Sequence, residues 1–123
     1  MSGLVESSAD ARSKTIGENF RVRAWVNFNG DGTVAIRSSG NVSSITDNAP
    51  GDYTVNFTTS IPDANYAVSI SACDTDNSAG YGYGVWVSSS NTAVSAGSIR
   101  FGLGYPDNAT FYDADLINVA IFR

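Results

Sequence analysis

The chain has no histidine and a single cysteine, Cys73, among its 123 residues. Without histidine it lacks the commonest general base, the base of Ser-His and Cys-His nucleophile pairs, and the commonest metal ligand. A lone cysteine forms no internal disulfide, and because Cys73 follows an apolar strand we expect it to be a small buried residue. These absences predict a non-enzymatic binding or structural protein that needs no cofactor.

Basic residues are also scarce. Seven Lys and Arg stand against twelve Asp and Glu, a formal net charge of −5, so no attraction to nucleic acid is expected. No apolar run approaches the ~20 residues that cross a bilayer, so no membrane insertion is expected. Hydrophobic residues make up 42% of the chain and charged residues 15%, a composition typical of a folded domain rather than a disordered one.

From Phe20 onward the apolar residues alternate with polar ones, which is the period of half-buried β-strands. The first such stretch has an inward set, Phe20, Val22, Ala24, Val26 and Phe28, and an outward set, Arg21, Arg23, Trp25 and Asn27. Later, residues 53–57 alternate with Tyr53, Val55 and Phe57 inward. About eight short strands, with turn signals roughly every ten residues, predict an all-β fold, an antiparallel β-sandwich over residues 20–123.

Turn-forming residues separate these strands. Asn29-Gly30-Asp31-Gly32 is typical of a β-hairpin, Ser38-Ser39-Gly40 and residues 47–52 are predicted to break the chain, and residues 104–115 are predicted to form a long loop. The hairpin turn also resembles the start of a calcium loop, but Ser38 stands where that motif needs Glu. Asp74, Asp76 and Asn77 are explained as turn formers. No metal site is expected.

Residues 1–19 differ from the rest of the chain. Few of them are apolar, and their spacing fits one or two helical turns at best. A helix this short is marginal in water, so one interpretation is a flexible tail. The other is an N-terminal arm for attachment or oligomerisation, which orders against another subunit or another protein of a larger particle.

Several aromatic residues are predicted to lie outside the core. Trp25, beside Arg21 and Arg23 on the outward face of the first strand, suits a subunit interface. A second set suits contact with a glycan or a protein: Tyr81, Tyr83, Trp86, Tyr105 and Tyr112. The alternative is that a small sandwich buries most of these rings.

Residues 23–68 contain a long and specific block. Its parts are Arg23 to Gly30 with Gly32 and Thr33, Ile36 to Asn48, Gly51 to Phe57, and Pro62 to Tyr66. The block resembles one that recurs in structural proteins of tailed bacteriophages, especially phages of cyanobacteria and other marine bacteria. The resemblance implies a β-rich virion module, usually the distal end of a tail fibre, typically a homotrimer and often facing the host.

In fibres the block usually ends a longer chain with its own shaft, whereas here we expect residues 1–19, ahead of the predicted sandwich, to serve as the attachment arm. The expected function is that of a virion structural protein of the tail-fibre or adhesin type, assembled in the bacterial cytoplasm and mediating attachment to a host-surface glycan or protein. A capsid-decorating protein of the same virion and a lectin-like carbohydrate-binding module remain as alternatives. The resemblance implies that receptor contacts lie in residues 69–123.

Overall fold

The computed structural model describes residues 21–75, 83–87, 92–105 and 110–123. These residues form nine β-strands: β1 Val22–Asn29, β2 Ala35–Gly40, β3 Val42–Ala49, β4 Asp52–Phe57, β5 Ala67–Cys73, β6 Gly84–Val87, β7 Ser98–Tyr105, β8 Thr110–Phe111 and β9 Leu116–Phe122. The prediction of an all-β protein is therefore confirmed, with nine strands instead of about eight. No bilayer-spanning helix is found among the described residues.

The strands form two antiparallel sheets that together make a β-sandwich. Sheet A has the order β2-β1-β9-β5, and sheet B has the order β3-β4-β7-β6 with β8 paired to β7. The last strand, β9, thus lies between β1 and β5 in the centre of sheet A. The chain passes from sheet A to sheet B between Gly40 and Val42, through Asn41 alone.

Asn41 holds this crossing in place. Its φ of 57° lies in the left-handed region, which Asn tolerates better than most side chains. Its side-chain amide donates to the carbonyl oxygens of Arg23 and Thr59, at 3.0 and 2.9 Å, and its Oδ1 accepts from the Thr59 N–H at 2.7 Å. The one side chain therefore ties β1 to the loop that follows β4.

The core lies between the two sheets and consists of the inward residue of each alternating pair. Four central strands supply most of it: Ala24, Val26 and Phe28 from β1; Tyr53, Val55 and Phe57 from β4; Ile99, Phe101 and Leu103 from β7; and Ile117, Val119 and Ile121 from β9. The period-two prediction is confirmed for β4 and, in β1, for Ala24, Val26 and Phe28, whereas Phe20 lies outside the described residues. Each fully buried large apolar side chain contributes roughly 1.5–3 kcal/mol of hydrophobic stabilisation.

The predicted hairpin joins β1 to β2, which pair antiparallel. Its turn closes locally, because Oδ1 of Asn29 accepts the N–H of Asp31 at 2.9 Å and Gly32 takes a φ of 64°. Gly30 is buried against the hydroxyl end of Tyr53, and its N–H donates to the carbonyl oxygen of Ala114 at 2.9 Å. These turn residues thus also contact the far end of the chain.

Two predictions about strand β1 and Cys73 are wrong. Val22 was expected to face inward, but the register of β1 against β9 shifts between Val22 and Ala24, and this bulge pairs Val22 with the outward Phe122. Cys73 is exposed because it shares the outward side of β5 with Ser69 and Ser71.

The predicted chain breaks are also shorter than expected. Ser38-Ser39-Gly40 completes β2, and Asp47 to Ala49 extends β3, so turn formers are accommodated inside edge strands. The predicted loop 104–115 contains β8, which pairs with the end of β7. Gly104 permits this pairing, since a Cβ there would collide with the backbone of Thr110 and Phe111.

Candidate binding surfaces

Tyr53 fixes one end of the sandwich. Its ring is fully buried, and its hydroxyl lies 2.6 Å from Oδ1 of Asp113 and 2.8 Å from the carbonyl oxygen of Gly30. The same Asp113 oxygen accepts the N–H of Gly51 at 2.8 Å. Burial, together with the hydrogen bond and charge of Asp113, raises the pKa of Tyr53 above its ordinary value of 10.0. The phenol therefore stays neutral and acts as a structural donor.

Three of the predicted contact tyrosines meet at this end. The rings of Tyr105 and Tyr112 are 4.5 Å apart, those of Tyr83 and Tyr105 are 5.5 Å apart, and the hydroxyl of Tyr83 donates to the carbonyl oxygen of Asp113 at 2.8 Å. Burial, followed by the effect of Tyr105, raises the pKa of Tyr83. Of the three, Tyr112 is the exposed one, at 37%, whereas Tyr83 and Tyr105 are partly buried and serve mainly to pack this end.

The fourth described candidate, Trp86, lies elsewhere, on the outer face of sheet B. Trp86 pairs with Gly102 of β7, and the ring of Phe111 covers Gly102 so closely that a Cβ there would lie 3.0 Å from it. The Trp86 and Phe111 rings are 5.8 Å apart with an interplanar angle of 38°. Phe111 is 44% exposed. Sheet B therefore carries an aromatic pair on its outer face.

An ion pair borders these rings. Asp52 pairs with Gly102 from the side opposite Trp86, so it shares their outer face. Nε and Nη2 of Arg100 donate to its two carboxylate oxygens at 2.9 and 2.7 Å, and these bonds hold the pKa of Asp52 below 3.8 despite partial burial. A bidentate pair of this kind fixes the orientation of both groups.

We expect stability to decline in acid because of such carboxylates. The pKa of Asp52 is lowered, and the hydrogen bond from Arg123 lowers the pKa of Asp63 from 3.8 to about 2. A carboxyl with a lowered folded-state pKa stabilises the fold above its unfolded pKa and loses that contribution as the pH falls through the folded value. Urea unfolding should therefore show a falling midpoint between pH 4 and pH 2. Asp52→Asn should flatten this dependence, and an unchanged slope in that variant would contradict the assignment.

The outer face of sheet A is apolar over one half. Phe122 of β9 pairs with Ala67 of β5 on one side and with Val22 of β1 on the other. Val22 is 46% exposed, Phe122 38% and Trp25, in the next outward row, 42%. We call Val22, Trp25 and Phe122 the sheet A patch.

A shallow hollow adjoins Trp25. The indole leans over Gly40, where a Cβ would collide with it, and forms one wall of a 260 Å³ depression. The rest of its lining is small or polar: Val26, Asn27, Ser69, Ser71, Asn118, Val119 and Ala120. In the polar half, the amide of Asn27 donates to Oδ1 of Asn118 at 2.6 Å, so this part of the face is already ordered.

The two arginines predicted beside Trp25 line a different depression. Arg21 and Arg23 border a hollow of 360 Å³ together with Asn41 and Thr59. Nε of Arg23 donates to the carbonyl oxygen of Arg123 at 2.7 Å, which joins β1 to the end of the described chain. Tyr81 and the N-terminal arm, residues 1–19, lie outside the described residues.

Phe111, Asp52 and Arg100 were not predicted as site residues. Phe111 was assigned to a loop, and the charged pair comes from strands 48 positions apart in the sequence. The sequence contains one signal for the position of Phe111. Gly102 and Gly104 occupy alternate, outward positions of β7, where side chains would be expected. Such a gap in a strand indicates the close approach of a ring or another backbone.

Comparisons with protein-family models, with curated proteins and with solved structures found no match to this chain. Within residues 21–75, 83–87, 92–105 and 110–123, no group of three or more Cys, Asp or Glu residues is placed to hold a metal ion. The described geometry offers two outer surfaces, the sheet A patch and the rings on sheet B.

Proposed function

We propose that this chain is a structural protein of a tailed-phage virion, an adhesin-type β module that assembles with copies of itself through the sheet A patch and contributes to host attachment. The single observation that carries the proposal is the patch: Val22, Trp25 and Phe122 lie on one face, each more than a third exposed. Exposed apolar side chains that gather on one face are typical of protein interfaces. The resemblance of residues 23–68 to phage virion proteins supports the proposal that this protein is part of a virion.

The patch is suited to a second copy of the chain. It combines an exposed indole with a neighbouring hollow of small side chains, so a face of this shape offers both a projection and a recess. The block that resembles phage proteins includes Trp25, whereas Trp86 and Phe111 lie outside it. The place of Trp25 within the block supports assembly through sheet A, and the two rings, which lie in residues 69–123, support recognition on sheet B. We propose a homotrimer, as the resemblance implies.

The assembly can be tested by measuring molar mass with light scattering at micromolar concentration near neutral pH. The wild type should have the mass of a trimer, and Trp25→Glu should be a monomer because a carboxylate in an apolar interface must be desolvated without a partner. Val87→Glu is the matched control: Val87 is 43% exposed but lies on sheet B, so this variant should remain trimeric. A monomeric wild type, or a trimeric Trp25→Glu, would contradict the interface.

Whether the protein is part of a virion, and where in the virion it lies, can be tested by cryo-electron microscopy of the virus that carries its gene. Density for the sandwich at the tail supports the tail-fibre or adhesin proposal. Density distributed over the shell would instead favour the capsid-decorating alternative, which would use the same fold to bind the capsid. A particle that contains none of this protein would show the virion proposal to be wrong.

A further inference from the structure

We propose that the outer face of sheet B binds a sugar ring of a surface polysaccharide, at a platform formed by Trp86, Phe111, Asp52 and Arg100. The inference deepens the proposed function, on which it rests, by naming the class of host molecule and the residues that contact it. It differs from the expectation of a contact surface formed mainly by tyrosines, because Tyr83 and Tyr105 are partly buried at the end of the sandwich.

The platform is a row across three strands. Asp52 of β4, Gly102 of β7 and Trp86 of β6 are register partners, so their outward positions lie side by side. Gly102 contributes no side chain, and the Phe111 ring occupies that place. Neighbouring strands are roughly 4.8 Å apart, which makes the row about 10 Å wide. The Phe111 ring at the centre of the row thus has the Trp86 ring on one side and the Asp52 carboxylate on the other.

This combination matches the two kinds of surface on a pyranose. One face of the sugar presents C–H groups, which pack against the electron-rich face of an aromatic ring. Its rim presents hydroxyls, which both donate and accept hydrogen bonds. At the platform, the exposed Phe111 ring offers the apolar contact, and Asp52 offers acceptors that Arg100 holds in one orientation.

The ion pair remains available to a ligand. The Arg100 side chain is 42% exposed and that of Asp52 is 15% exposed, so a ligand meets mainly the arginine and the edge of the carboxylate. Asp52 engages Nε and Nη2 of Arg100, so the guanidinium has further N–H groups to donate. Asn48 lies beside the pair, and its amide donates to Oδ1 of Asp52 at 3.4 Å and to Oγ1 of Thr54 at 2.9 Å. A hydroxyl pair on a sugar would thus find a donor and an acceptor side by side next to an apolar surface.

Other classes of ligand fit less well. The chain carries a net charge of −5, and at the platform the carboxylate neutralises the arginine, so a phosphate has no net attraction there. A row about 10 Å wide also offers far less area than the roughly 800 Å² per partner of a standard protein interface, so a protein ligand fits less well. A single sugar ring on an open surface should bind with a dissociation constant on the order of 1 mM, which several copies in one assembly would strengthen by avidity.

The proposal can be tested first on an array of bacterial surface glycans, probed with the labelled full chain. Wild-type protein should bind at least one glycan. The responding sugar is then titrated in solution by saturation-transfer-difference NMR, where transfer should be strongest to the C–H protons of one ring face. Phe111→Ala and Asp52→Asn should each weaken binding by roughly tenfold.

The control is Val87→Ala. Val87 follows Trp86 in β6 and is about as exposed as Phe111, at 43% and 44%, but it pairs with the buried Phe101 and so faces the other side of the sheet. Val87→Ala should retain wild-type binding, and circular dichroism should show that all three variants are folded. No binding to any glycan of the array, or wild-type affinity in folded Phe111→Ala, would overturn the proposal.

The outcome separates this inference from the proposed function. A chain located in the virion and trimeric through sheet A, whose Phe111→Ala variant binds glycans like the wild type, leaves the virion function intact and removes only the platform. A chain that binds sugar through Phe111 but is absent from every particle instead contradicts the virion proposal and leaves the sugar site standing.

Discussion

Tyr53→Ala should lower the free energy of unfolding by about 3–5 kcal/mol, as is typical when a buried aromatic ring is removed from a core. The ring is fully buried between Phe28 and Phe101, with centroid distances of 5.4 and 6.0 Å. Because single domains are stable by only about 5–15 kcal/mol, this variant should lose much of its stability. Urea or guanidinium unfolding followed by circular dichroism measures the loss.

Tyr53→Phe separates the ring from its hydroxyl. Phe keeps the packing but leaves Asp113 and the Gly30 carbonyl without the phenol donor, so we expect a loss of about 1–3 kcal/mol. Tyr112→Phe is the control, because the Tyr112 side chain is exposed and its change should stay within about 0.5 kcal/mol. Wild-type stability in Tyr53→Phe would show that the hydroxyl contributes nothing to the fold.

Gly51→Ala should be strongly destabilising, and Gly32→Ala provides a matched control for it. Gly51 has a φ of 67°, and a Cβ there would lie 2.5 Å from the carbonyl oxygen of Leu103 and 2.7 Å from the backbone of Tyr112. Gly32 has a nearly equal φ of 64°, but nothing lies within 4 Å of its Cβ position. The two substitutions therefore share the same backbone strain and differ only in the available space.

We expect Gly32→Ala to cost about 1–2 kcal/mol, the penalty of a left-handed conformation for an L-residue. Gly51→Ala should cost about 1–3 kcal/mol more, because rigid backbone atoms must move to admit the methyl group. The difference in unfolding free energy between the two variants measures this steric part. Equal losses would show that the backbone of Leu103 and Tyr112 yields freely around Gly51.

The proposed sheet B platform depends on these same contacts. Gly51 donates to Asp113 and accepts the N–H of Leu103 at 2.8 Å, which positions the chain on either side of Phe111. A variant that loosens this end should therefore weaken glycan binding at the sheet B platform before it affects assembly through the sheet A patch. Binding and mass measurements on Gly51→Ala would show the two effects separately.

Much of the fold could be predicted from local pattern. Alternation over residues 53–57 was sufficient to place Tyr53, Val55 and Phe57 inward, because a strand with one buried face repeats every two residues. Where the pattern failed, a local irregularity intervened. The bulge at the start of β1 reversed the side on which Val22 lies, and no feature of residues 20–28 indicates such a bulge.

The candidate sites were predictable only in part. Trp25 was expected on the outward face and lies there, 42% exposed. The sequence gives no indication that Phe122 would join Val22 beside it, since these residues are 100 positions apart and meet only because β9 pairs with β1. Likewise Phe111 reaches Trp86 only because Gly102 leaves a place for its ring.

The amino-acid order alone therefore determined the strand period, the inward set of β4, the hairpin between β1 and β2, and the lack of histidine chemistry. The tertiary structure decided which strands are neighbours, and with that which outward side chains form a surface. The physical reason is that periodicity depends on each residue and its nearest neighbours, whereas the pairing of distant strands depends on how the whole core packs.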